Sequence, residues 1–81
     1  MDKVTKLTVM TVPELWGRRG ALFKDTSADL ASVEDIDSAG IALLVKWSKS
    51  IPDGKLKLKN VSEDALSLLE TYNVKDLFEI S

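Results

Sequence analysis

Three carboxylates and a hydroxyl stand together in the middle of the chain, at Glu34, Asp35, Asp37 and Ser38. Paired carboxylates can exchange protons with a substrate when burial separates their pKa values, and carboxylate clusters can also bind metal ions. The chain has no histidine and no cysteine, so it lacks the commonest general base, the commonest transition-metal ligand and a thiolate nucleophile. We therefore interpret the three carboxylates as a solvated loop that ends in a helix cap.

Ser38 could act as a nucleophile only if a base lay beside it. The lysines of the following segment, Lys46 and Lys49, would have to be buried to serve as that base. No nucleophile elbow surrounds Ser38, and the chain has no glycine-rich loop of the phosphate-binding type. A helix cap and a regulatory hydroxyl remain as the two interpretations of Ser38, and we predict a non-enzymatic domain without a cofactor.

The composition is that of one small globular domain. The chain has 81 residues, of which 44% are apolar and 30% charged, so we assign residues 1–81 to a single domain. Its net charge is −2, whereas a nucleic-acid module normally has a basic surplus that neutralises phosphates. Nucleic acid is therefore excluded as the expected partner.

The sequence also bears on location. No apolar run approaches the roughly 18–20 residues that cross a bilayer, and the N-terminal residues MDKVT lack the basic start and apolar core of a signal peptide. We expect a cytoplasmic protein.

The elements that must position Ser38 alternate between strands and helices. We predict strands at 3–9, 28–33 and 55–59, helices at 12–24, 38–50 and 62–72, and a tail at 74–80 that packs on the core. This order predicts an α/β fold with a mixed, mostly parallel sheet and right-handed crossovers. The strict alternation of lysine and leucine over 55–59 leaves one strand face wet, so we expect the helices on one face of the sheet only.

The predicted helix 38–50 is apolar on more than one face. One stripe is expected to pack on the sheet: Gly40, Leu43, Leu44 and Trp47. Three more apolar residues lie on the adjoining faces: Ile41, Ala42 and Val45. A one-sided layer cannot easily hide them, so either a neighbouring helix covers them or they form an exposed interface. We predict that Trp16 and Trp47 are core residues rather than ligand-binding aromatics.

The segment 29–44 resembles the signature of STAS domains, in which an Asp-Leu strand leads through a loop ending in Asp-Ser/Thr-x-Gly to an apolar helix. Asp29-Leu30 and Asp37-Ser38-Ala39-Gly40 hold these positions here. Residues 8–16 resemble the family's approach to its first helix, and 57–61 with 68–74 resemble its last strand and helix. The match covers nearly the whole chain in order, and it implies a STAS-like (SpoIIAA-like) fold.

Two functions follow from this resemblance. The runs VPELW at 12–16 and ALLVKW at 42–47 look most like MlaB-like members, which bind the ATPase subunit of a bacterial ABC transporter of phospholipids and lie at the inner membrane through that partner. The alternative is an anti-sigma factor antagonist, whose motif serine, here Ser38, is phosphorylated by an anti-sigma factor kinase. In both cases the resemblance implies a partner-binding or regulatory surface that comprises Asp37, Ser38, Gly40, Ile41, Ala42 and Val45.

The chain departs from the family at its start. STAS domains begin with a hairpin of two strands, whereas only seven residues precede Thr8 here, so the hairpin is truncated. An uncovered sheet edge invites pairing with another chain. We therefore expect self-association as a homodimer, or coverage by the partner, at this N-terminal edge.

Overall fold

The computed structural model describes residues 4–52 and 54–80. Its elements in chain order are β1 Lys6–Leu7, α1 Val12–Gly17, α2 Arg19–Leu22, β2 Ser27–Asp29, β3 Asp35–Ile36, α3 Ser38–Lys49, β4 Leu56–Lys59, α4 Glu63–Thr71, a 3-10 turn Lys75–Leu77 and β5 Phe78–Ile80. Helices combine with parallel strands in one small domain, which confirms the predicted α/β class. Within the described ranges, none of the helices has the length and apolar character that a membrane crossing requires.

The strands form two small parallel sheets, β1–β3 and β2–β4–β5. The single strand predicted at 28–33 is wrong, because β2 ends at Asp29 and the chain turns before β3. The Asp29 carboxylate accepts a hydrogen bond from the Ala31 amide at 2.9 Å, and such an Asx turn competes with extended backbone. The strand predicted at 3–9 is reduced to β1, and its predicted start at Lys3 lies outside the described residues.

One face of the larger sheet is buried against the helices and the other is exposed to solvent. Leu56 and Leu58 of β4 are fully buried, while Lys57 and Lys59 between them are exposed. Alternation with a period of two places the leucines toward the helices and the lysines toward solvent. This confirms the expectation that helices cover one face.

The first helical segment is broken, so the prediction of one helix over 12–24 is wrong. Arg18 lies between α1 and α2 with φ −101° and ψ 11°, outside the helical region. Gly17 directly precedes it, and glycine weakens a helix interior by about 1 kcal/mol relative to alanine. Thr11 does not cap α1 through its side chain. Its hydroxyl instead donates to the carbonyl of Lys6 at 2.7 Å, which ties α1 to β1.

Helix α3 is the centre of the domain, since it contacts β1, β3 and β4 as well as α1 and α4. Its predicted core stripe is confirmed, because the four residues Gly40, Leu43, Leu44 and Trp47 are all buried. The Trp47 indole donates to the carbonyl of Asp25 at 2.9 Å, so its one polar atom is satisfied. The prediction for Trp16 is wrong, because its side chain is 37% exposed.

The C-terminal part closes the core. Ser62 caps α4 by accepting from the Ala65 amide at 3.1 Å, and Asn73 ends the segment with a φ of 57°, a left-handed conformation that asparagine tolerates. The tail packs on the core through the buried Phe78 and the partly buried Val74 and Leu77, and it adds a strand, β5, to the sheet. Its last apolar residue, Ile80, was predicted to pack there too, but it is 36% exposed. Tyr72, the residue directly after α4, is 48% exposed.

Candidate functional site

Asp37 organises the N-terminus of α3. One of its oxygens, Oδ1, accepts from the amides of Ala39 at 2.9 Å and Gly40 at 3.3 Å, and Oδ2 accepts from the Val9 amide at 3.0 Å. The Val9 amide, and after it the amides of Gly40 and Ala39, lower the pKa of Asp37 against an opposing effect of burial. Asp37 is therefore an ionised cap that also fastens the loop after β1 to the helix.

Gly40 permits the close contact between α3 and β1. A Cβ atom at this position would lie 2.2 Å from the Leu7 carbonyl oxygen and 2.7 Å from the Leu7 Cβ atom. Only a residue without a side chain fits at such an approach. Gly40 therefore has a packing role, and it is buried rather than available to a partner.

Ser38 is the first residue of α3 and is exposed. Its hydroxyl makes no hydrogen bond within residues 4–52 and 54–80. Lys46 and Lys49 are exposed on the same helix, so neither has the burial that a base for Ser38 would need. The capping role considered for Ser38 belongs to Asp37, so the Ser38 hydroxyl is accessible to a binding partner.

The other two carboxylates of the cluster do not converge with Asp37. Glu34 and Asp35 are exposed, and the Asp37 carboxylate is occupied by three backbone amides. The described residues contain no group of three or more potential metal ligands that could hold an ion.

A groove of about 350 Å³ opens beside Ser38. We call it the Ser38 groove, and its lining residues are Ser38, Ile41, Ala42, Val45, Lys46, Lys49, Tyr72 and Val74. It runs along α3 and is closed on the other side by the residues that follow α4. Ala42 is exposed and Val45 is half-buried, so the structure brings these two predicted site residues together with Ser38.

For Ile41 the first of the two alternatives holds, because only 4% of its surface is exposed and it belongs to the core cluster. It is therefore not on the accessible surface that the resemblance implied. The neighbouring helix α4 and the residues after it account for this, because they pack against α3 on that side. Ile41 thus forms the floor of the Ser38 groove rather than a protruding contact.

Two exposed residues near Ser38 were not predicted. Val9 is 64% and Met10 is 85% exposed, and both lie in the turn closed by the Thr11 amide on the Thr8 carbonyl at 3.0 Å. The hydrogen bond from Val9 to Asp37 places this turn beside the start of α3. Sequence reasoning missed it because the β-branched run suggested a strand up to residue 9. The only available signal was an apolar pair followed by a threonine and a proline.

No protein-family model, no curated protein and no solved structure matches the chain.

Proposed function

We propose that this chain is a STAS-type docking domain of the MlaB-like kind, which binds and regulates the ATPase subunit of a bacterial phospholipid ABC transporter without catalysing a reaction itself. The order of STAS-like motifs along the chain supports this proposal, as does an α/β architecture with parallel strands. In this proposal the partner is protein, and the domain lies in the cytoplasm beside the inner membrane through that partner.

The observation that carries the proposal is the exposed hydroxyl of Ser38, which has no hydrogen-bond partner among the described residues and lies at the mouth of an apolar groove. Val9 and Met10 stand on one side of the start of α3, and Ala42 and Val45 follow along the helix. Exposed apolar residues that cluster around a few polar groups are typical of protein-binding surfaces. The partner would bury these side chains and form a hydrogen bond with Ser38.

The test compares Ser38→Glu and Ser38→Ala in titrations against a purified Mla-type ATPase subunit. The glutamate places a charge in a contact that must lose its water, so we expect affinity to fall by at least about tenfold. The alanine removes one hydrogen bond at a cost of about 0.5–1.5 kcal/mol, which is about two- to twelvefold in affinity.

Ser67→Glu is the matched control, because Ser67 is an exposed serine of α4 outside the Ser38 groove. It should leave affinity within about twofold, in line with the small effect of most surface changes. Ser38→Glu should melt close to the parent protein, since an acid is tolerated in the first turn of a helix. Ser38→Ala and Ser67→Glu change exposed residues and should also melt close to it. If Ser38→Glu bound the ATPase like the parent, Ser38 would not be part of the docking surface.

The second candidate is an anti-sigma factor antagonist that is switched by phosphorylation of Ser38. The accessibility of the hydroxyl favours it, as does its place at the start of a helix of 12 residues, where the positive end of the helix dipole stabilises a phosphate. In this case Ser38→Ala should bind an anti-sigma factor kinase normally and no longer gain phosphate, as measured by intact mass after incubation with kinase and ATP. Loss of kinase binding in Ser38→Ala would contradict this alternative.

A further inference from the structure

A second depression, of about 580 Å³, adjoins the Ser38 groove. We call it the basic depression, and its lining residues are Trp16, Arg19, Gly20, Phe23, Lys24, Lys46, Lys49 and Ser50. Lys46 and Lys49 line both the basic depression and the Ser38 groove. The two concavities therefore share a rim along the C-terminal half of α3.

The charge of the basic depression is one-sided. Four of its lining residues are cationic, namely Arg19, Lys24, Lys46 and Lys49, and none is acidic. In the part of the chain that the structure describes, the ion pairs are Arg18–Glu14 and Lys75–Glu70, so none of the four cations is neutralised by a carboxylate. This local excess contrasts with the net charge of −2 of the whole chain.

An aromatic framework positions two of these cations. The Arg19 guanidinium lies 4.5 Å, and the Lys46 ammonium 5.6 Å, from the centre of the Trp16 ring, both within the range of cation–π attraction. Trp16 contacts Phe23 edge to face at 6.0 Å, and Phe23 stacks on the buried Trp47 at 5.7 Å. The partly exposed ring and its cations are thus held on the core.

We infer that the basic depression binds an acidic segment of the same partner that occupies the Ser38 groove, with carboxylates opposite the four cations and an apolar side chain against Trp16. This inference rests on the proposed function, because continuity along Lys46 and Lys49 lets one partner surface cover both concavities. Charge complementarity selects an acidic occupant, and the exposed Trp16 ring selects one that also carries apolar groups. Ion pairs between the carboxylates of the partner and these cations would act mainly on the association rate and on specificity.

The test uses the full chain and a synthetic peptide of repeated Glu-Glu-Leu units at low ionic strength, with a Gln-Gln-Leu peptide of equal length as the neutral probe. We expect the acidic peptide to bind and to change the tryptophan fluorescence of the chain, through the exposed Trp16. Its affinity should fall steadily as salt is added. In the double variant Lys46→Gln/Lys49→Gln, affinity should fall by about three- to tenfold, as expected for two exposed ion pairs.

The double variant Lys57→Gln/Lys59→Gln is the matched control, because it removes the same charge from the exposed face of β4. If the peptide binds at the basic depression and is not attracted merely by the total charge of the chain, this control should change its affinity by less than about twofold. Equal weakening by both double variants, or equal binding of the neutral peptide, would overturn the inference. The inference would also be overturned if Lys46 and Lys49 were needed to bind inorganic pyrophosphate or phosphatidylglycerol vesicles but were not needed to bind the peptide.

The two proposals fail in different experiments. Absence of peptide binding overturns this inference and leaves the Ser38 titration as it stands. An unchanged affinity of Ser38→Glu for the ATPase overturns the docking function, even if the peptide still binds the basic depression.

Discussion

Replacement of Gly40 by alanine would test how closely α3 and β1 are packed. The added Cβ atom would lie 2.2 Å from the Leu7 carbonyl oxygen, about 1.2 Å short of the 3.4 Å at which ordinary contact begins. The same oxygen accepts a hydrogen bond from the Asp37 amide at 3.0 Å. The obstacle is backbone, so α3 and β1 must move apart and disturb that hydrogen bond.

Three contributions set the change in the free energy of unfolding that Gly40→Ala should cause. Overpacking costs about 1–3 kcal/mol, and the disturbed hydrogen bond about 0.5–1.5 kcal/mol, while alanine in place of glycine returns about 1 kcal/mol of helix propensity. We expect a net loss of about 2 kcal/mol in the free energy of unfolding. For a domain of this size that loss lowers the Tm by about 8–16 °C.

The assay is thermal and urea unfolding of Gly40→Ala beside Gly17→Ala. A Cβ atom at Gly17 would meet nothing within 4 Å, so this control should be neutral or stabilised by up to about 1 kcal/mol. The urea dependence of the free energy of unfolding should be the same in both variants and the parent. If Gly40→Ala were as stable as Gly17→Ala, the conclusion that α3 and β1 pack too closely at Gly40 to admit a side chain would be wrong.

Two further predictions concern buried and charged polar groups. The hydroxyl of Ser48, which is 5% exposed, donates to the Leu77 carbonyl at 2.5 Å and accepts from the Leu56 amide at 3.1 Å. Ser48→Ala leaves both groups unpaired and should lower the free energy of unfolding by about 2–4 kcal/mol, as measured with urea. If Ser48→Ala lowered it by less than the exposed control Ser50→Ala does, this prediction would be wrong. Asp37 has a folded pKa below its unfolded value, so its charge stabilises the fold above the unfolded pKa and this contribution is lost as pH falls through the folded pKa. Asp37→Asn should thus be less stable than the parent at neutral pH and approach it in acid, whereas a constant difference at every pH would contradict this.

The local pattern of the sequence was enough to predict three elements. Helix α3 begins at a cap and carries a buried stripe, α4 begins at Ser62, and β4 alternates leucine with lysine. In each case the signal lies within a few neighbouring residues, because caps and periodicity depend on backbone geometry that repeats every turn or every second residue. The same local motif at 37–40 indicated where the candidate site begins.

Tertiary contacts decided what the sequence left open. Ile41 is buried because α4 and the residues after it pack beside α3, and Val9 with Met10 is exposed because the Asp37 carboxylate holds their turn at the helix start. The basic depression combines Arg19 and Lys24 with Lys46 and Lys49 of α3, which follow them by more than 20 positions in the chain. No local pattern encodes such a cluster, since it exists only where packing of Trp16, Phe23 and Trp47 brings these elements together. Short-range signals therefore locate the start of the helix that carries the site, whereas packing between distant segments decides which of its side chains a partner can reach.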